Sequence, residues 1–286
     1  LALALERSGI ESVLYHDVND PLGVAVLAIS EDPALFVGRL THHKGVEEFI
    51  RAGPGEILGG PDLSHELYGL LAWLTSTSEP LMAQAYVEAG GVDLSRLRFR
   101  ERQEWEIAAD WKVAVENYLE CYHCPVAHPG FSKVIDVDPD AYLLSSDGLV
   151  ASQFGTPRPA ALAGDGKAPY NPSGEVAQAQ YHLLWPNTTI NVEAGPGNLS
   201  VDATKPNGPG RSSGTTDYFF YEEVSDEQAR EMMDFANQVG LEDSGLVEAV
   251  QRGLDTGMVP QGRLLLSSEH LIQHFQRLVF EALAES

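Results

Sequence analysis

Residues 116–128 read ENYLECYHCPVAH. Just upstream, Asp110 stands before Trp111 in the place of an N-cap. The spacing therefore predicts a helix from Trp111 to about Cys124, ended by Pro125, whose ring disfavours helical backbone in the residue before it. On such a helix Glu120 and His123, three residues apart, share a face. His128 follows just past the proline, where the chain can fold back towards His123. Two imidazoles with carboxylates nearby are the raw material of a divalent iron site. Two His and one carboxylate on one face of the metal leave positions open for dioxygen and substrate. A pair of hydrogen-bonded structural histidines is the plainer reading of the same spacing.

The two cysteines, Cys121 and Cys124, are the only ones in the chain. Two cysteines exclude a disulfide scaffold and make a reducing cytoplasm the default compartment. A thioredoxin-type redox pair should follow a strand and open a helix, whereas this pair is expected to close one. Zinc would require a second Cys pair. Covalent haem attachment would require His directly after the second Cys, where Pro125 stands. The cysteines are therefore expected to be small packing residues beside the site.

Further out, residues 99–107 have the spacing of an edge or half-buried strand. Residues 181–192 and 215–224 read as strands rich in β-branched and aromatic residues. Ser225 with Gln228 forms a capping-box pattern for a helix to about Val239. A second helix is expected over 242–254 and a last one over 269–283. The Pro-, Gly- and Ala-rich stretch 155–174 is expected to be an exposed, mobile loop at the mouth of a pocket. The aromatic segments 181–185 and 218–221 suit either a pocket wall or sheet core. Strands followed by long helices indicate an α+β fold with an antiparallel sheet. Upstream, 13–15 and 23–29 look like short strands, 46–51 and 63–74 carry helical patterns, and 81–89 reads as a helix stopped at Gly90-Gly91.

Composition limits the function classes. Of 286 residues, 43% are hydrophobic and 21% charged, which suits a folded domain. Eighteen Lys and Arg against 42 Asp and Glu leave a net charge of −24, which repels nucleic acid and anionic lipid. No apolar run reaches the ~20 residues of a membrane span. The first residues lack the basic start of a secretory signal, and a chain opening on Leu1 is expected of a fragment or a processed start.

The segment ENYLECYHCPVAHPGF, preceded by AADWKVAV, resembles the iron-binding segment of Rieske-type non-haem iron ring-hydroxylating oxygenase α subunits, including the branch acting on quaternary ammonium compounds. The resemblance continues through DVDPDAY at 136–142, YHLLWPNTTINVEAGPGNLSV at 181–201 and EDSGLVEAVQRGL at 242–254. It implies a helix-grip catalytic domain over residues 79–286, a curved antiparallel sheet gripping a long C-terminal helix. It also implies a mononuclear Fe(II) held by His123, His128 and Asp243, with Glu242 as the alternative to Asp243. Glu120 falls where the family has the acidic residue that relays electrons from a Rieske cluster across a subunit interface.

By the same resemblance the reaction is mono- or dioxygenation of an aromatic or quaternary-ammonium substrate. A reductase or ferredoxin would feed the electrons, and the assembly would be a homotrimer. The family's [2Fe–2S] cluster needs two Cys and two His, yet no Cys precedes Cys121. Residues 1–78 are therefore expected to be a replaced or truncated Rieske region. A non-catalytic remnant that binds only iron or a hydrophobic ligand is the alternative.

Overall fold

The computed structural model describes three short N-terminal strands and residues 87–286 except 89, 165, 259–261 and 285–286. The helical patterns at 46–51 and 63–74, most of 81–89 and the boundary at 78 lie outside the described residues. The strands β1 (Ser12–Leu14), β2 (Val24–Ala28) and β3 (Leu35–Arg39) form an antiparallel sheet in that order, with Ser12 paired to Ala28 and Val24 to Arg39.

The main body is built on a seven-stranded antiparallel sheet. Its strands are β4 (Leu97–Ile107), β5 (Leu143–Asp147), β6 (Val150–Gly155), β7 (Ala179–Leu184), β8 (Thr188–Val192), β9 (Asn198–Pro206) and β10 (Ser212–Tyr221), in the order β4-β10-β9-β8-β7-β6-β5. The sheet is open, and β4 is an edge, as its pattern suggested. Arg98, Arg100, Glu101, Glu104 and Glu106 leave β4's outer side charged and exposed, which discourages pairing with a stray strand. Arg102 makes a two-pronged bond to Asp217 on β10, at 2.6 and 2.8 Å. Gly214 sits where a side chain could not: a Cβ there would lie 2.3 Å from the Trp105 ring.

Helices α1 (Trp111–Tyr118), α2 (Cys124–Ala127), α3 (Phe131–Val134), α4 (Pro159–Leu162), α5 (Asp226–Asp255) and α6 (Leu266–Ala284) complete the α+β architecture. The capping box at Ser225 and Gln228 is formed. Two expected helices, to 239 and from 242, are one 30-residue helix, α5. Gly240 and its neighbours do not break it; the Ser244 hydroxyl donates to the Gly240 carbonyl at 2.8 Å, a back-bond that the continuing helix accommodates. Helices α1 and α5 are tied by side-chain to backbone bonds: Gln251 accepts from the Asp110 N–H at 2.8 Å and Glu248 from the Ala108 N–H at 3.1 Å. On α6, Leu271, Ile272 and Phe275 are buried against Val115 and Leu119 and against Ala151 and Leu183 of the sheet. Among the described residues no helix is long and apolar enough to cross a membrane.

Two expectations are corrected here. Helix α1 stops at Tyr118, six residues before Cys124, and Pro125 lies in the first turn of the separate helix α2. Proline is well tolerated there, since its missing N–H would be unsatisfied anyway. The stretch 155–174 is largely exposed, as expected, but it is not irregular throughout. It begins in β6, carries α4, and is anchored by Tyr170, which is buried with its ring 5.0 Å from Phe235. One aromatic anchor ties an otherwise exposed stretch to the core.

Candidate metal centre

His123 and His128 flank α2, at opposite ends of one helical turn. Their Nε2 atoms are 3.0 Å apart. Asp243, 115 residues further along on α5, brings its Oδ1 to 3.0 Å from His128 Nε2 and 3.4 Å from His123 Nε2. The remaining nitrogen of each ring faces a carboxylate. His123 Nδ1 bonds Glu120 Oε1, and His128 Nδ1 lies 2.9 Å from Glu242 Oε2. With Nδ1–H donating to an acid, each ring presents the lone pair of its Nε2 to the shared centre.

Three lone-pair donors at that spacing call for a cation. On an octahedron with bonds of about 2.1–2.2 Å, adjacent donors lie about 3.0–3.1 Å apart. The edges of 3.0, 3.0 and 3.4 Å fit such a face, and the donor set suits Fe(II). Without a metal a proton serves instead. Burial works against a charged ring, yet bonds to Asp243 and Glu120 lift His123 to about 9. Burial alone would raise the Asp243 carboxyl, but bonds from His123, His128 and Asn117 hold it at about 2.

Glu120 does not reach His123 along a helix face, as expected, but through a turn. Its Oε2 accepts from the backbone N–H groups of Tyr122 and His123, which fixes the carboxylate before it meets the ring. The cysteines also differ from the expectation. Cys121 and Cys124 are joined in a disulfide, with Cα atoms 5.0 Å apart. The turn between α1 and α2 closes that distance, which counting cysteines for a scaffold does not foresee. Cys124 opens α2 rather than closing a helix. Its sulfur lies near both imidazoles but, being bonded to Cys121, is no thiolate.

The sequence reading missed Asn117, whose Nδ2 donates to Asp243 Oδ1 at 2.6 Å. It also left Glu242 only as a substitute for Asp243, whereas the two acids stand at opposite nitrogens of His128. A cavity of about 610 Å³ adjoins the centre. The sheet contributes alternate residues to it: Thr189, Asn191 and Glu193 from β8 and just beyond, then Ser200, Asp202 and Thr204 from β9. Of the aromatic segments, Tyr181 and Tyr218 line the cavity, while Phe219 and Tyr221 pack into the core on the sheet's other face.

Residues 94–285 match the family model described as the ring hydroxylating alpha subunit (catalytic domain). The chain belongs to this family. Within it, this chain is 34% identical over 210 residues to the carnitine monooxygenase oxygenase subunit of Acinetobacter baumannii, covering 70% of this chain and 54% of the relative. It is 31% identical to the chloroplastic choline monooxygenase of Arabidopsis thaliana, covering 66% and 43%. Among solved structures, it resembles a quaternary ammonium Rieske monooxygenase in complex with an inhibitor, with TM-score 0.56 and 32% identity over 69% of this chain and 52% of that one. A second structure, of a quaternary ammonium Rieske monooxygenase described for carnitine oxidation and inter-subunit electron transfer, gives TM-score 0.58 and 26% identity over 90% of this chain and 62% of that one. The chain spans about half the length of the curated relatives it matches. The fold expected from the sequence is thus that of Rieske oxygenase catalytic domains.

Proposed function

We propose that this chain is the iron-bearing part of a monooxygenase for a quaternary-ammonium-type compound. The observation that carries the reading is the triangle of His123 Nε2, His128 Nε2 and Asp243 Oδ1. An Fe(II) held there would supply open positions at which dioxygen and an organic substrate meet. The protein's own contribution is positional. Glu242 and Glu120 fix the rotation and tautomer of the two imidazoles, and Asn117 fixes the Asp243 carboxylate. Phe131, Phe235 and Tyr181 give the adjoining cavity an apolar wall on the His128 side. Of the two substrate classes the sequence suggested, the ammonium class is favoured by the identity to carnitine and choline monooxygenases.

Electrons would come from a Rieske cluster whose ligands are not among these residues, since the only cysteines are bonded to each other. They would enter through Glu120 at His123 Nδ1, from a ferredoxin or reductase partner, in a homotrimer of the family's kind. The same cysteine count supports the second reading, an iron-binding domain that does not turn over. Anaerobic Fe(II) titration, then a single turnover with a chemical reductant and dioxygen, separates them. Oxygenated product at up to one equivalent per iron supports the first. Tight iron binding with no product supports the second, and no iron binding sinks both.

A further inference from the structure

Two carboxylates in the cavity have no part in the metal triangle. Asp202 accepts from Thr189 Oγ1 at 2.9 Å and also from Asn191 Nδ2 and Thr216 Oγ1. Glu193 accepts from the Tyr181 hydroxyl at 2.9 Å. All of these donors are neutral. Both acids are half-buried, and both line the cavity. A charge placed so deep is costly unless a counter-charge reaches it.

No Lys or Arg lines the cavity among the described residues. Its charged side chains are instead Glu104, Glu120, Glu193, Asp202 and Asp243, beside the two imidazoles of the centre. Glu193 stands among aromatic rings. Tyr181, its partner, has its ring 5.9 Å from Phe131, and Phe131 in turn lies 6.5 Å from the His128 ring. Tyr142 and Tyr218 line the same space. Faces of aromatic rings around a carboxyl group attract an organic cation, with charge and dispersion acting together, and the bound cation supplies the counter-charge that favours the ionised acid. Away from the metal centre an anionic group would meet only carboxylates, which is how a site refuses a competitor.

We propose that the cavity selects a small organic cation that carries no carboxylate of its own, with Glu193 and Asp202 on the sheet face as the specificity residues. This rests on the oxygenase reading of the site and narrows its substrate. A choline-like amino alcohol is taken, and a zwitterion such as carnitine is disfavoured because on the sheet face its acid group meets carboxylates and, among the described residues, no Lys or Arg.

The test is calorimetric binding to the full chain, with Fe(II) titrated separately. The probes are choline, its neutral isostere 3,3-dimethylbutan-1-ol, L-carnitine and γ-butyrobetaine. Choline is expected to bind at least about tenfold more tightly than each of the other three. Glu193→Gln, close to isosteric, is expected to erase the preference for choline over the neutral isostere while Fe(II) binding persists, and Asp202→Asn to reduce it. Equal binding of carnitine or of the neutral alcohol overturns the proposal, as does a failure of choline to bind at millimolar concentration or an unchanged preference in Glu193→Gln. Loss of iron binding with the cation preference intact would instead overturn only the oxygenase reading.

Discussion

Glu242 and Asp243, adjacent on α5, grip opposite nitrogens of one imidazole: Glu242 Oε2 is 2.9 Å from His128 Nδ1, and Asp243 Oδ1 is 3.0 Å from His128 Nε2. Neighbours on a helix point about 100° apart, so the ring must sit between the two side chains, and its buried position holds it there. On the proposed reading the pair divides the labour: Asp243 would bind the metal, and Glu242 would orient the ring that binds it.

That division predicts unequal mutants. Asp243→Asn should weaken Fe(II) binding by more than about 100-fold, while Glu242→Gln should cost about 10–100-fold. Anaerobic titration of each variant measures both. Equal losses would show that the two acids share one role.

Glu120→Gln keeps an acceptor near His123 Nδ1 but removes the charge. Fe(II) affinity is expected to fall by about tenfold. Turnover fed by a Rieske-bearing partner should fall much further than single turnover with a chemical reductant. Parallel decreases in both assays would reduce Glu120 to a residue that only positions the ring.

Glu193 makes stability depend on pH. Burial lifts its carboxyl from 4.5 to about 7, so the folded protein favours the protonated form. The contribution is fully present below pH 4.5 and is lost as pH rises through about 7. Glu193→Gln should therefore be more stable than the parent at about pH 8, by up to about 3 kcal/mol, and similar to it at about pH 4.5. Urea unfolding of the metal-free chains at the two pH values reads this. The tyrosines around it, Tyr142, Tyr170 and Tyr181, are all raised by burial and stay neutral across this range. Asp202 is likewise raised by burial, so the comparison between Glu193→Gln and the parent isolates Glu193. A difference that does not grow with pH would refute the assignment.

Ser225→Ala removes the side chain that starts α5 and should cost about 1 kcal/mol. Thermal unfolding measures it. No change would mean that tertiary packing alone fixes the start of the helix.

Much of this was legible in the residue order. The box at Ser225 and Gln228 is a local device, and the charged strand ending at Ile107 carries its edge status in its own pattern. His123 and His128 are so close in sequence that any compact turn brings them together. What was not legible depended on distant contacts. Helix α1 ends at Tyr118 because the next residues form the Glu120 turn and the cysteine bridge. The hairpin of β5 and β6 was missed because Ser145, Ser146 and Asp147 offer no alternating apolar pattern, and Gly148 at φ 54° turns it. Glu193 and Asp202 did carry a signal, each a lone acid within a β-branched stretch, but only the sheet shows that they face the same space.

Asp243 sits well inside a 30-residue helix whose start is fixed at Ser225. Its aim is therefore a matter of counting. Inserting or deleting one residue anywhere between Ser225 and Glu242 would turn both acids by about 100° around the helix axis, away from His128. A change of seven residues would restore the direction to within about 20° but carry the acids about 10 Å along the axis. This interval should therefore tolerate substitution yet resist any change in length, and a length-variant library scored for iron retention would show a gap there.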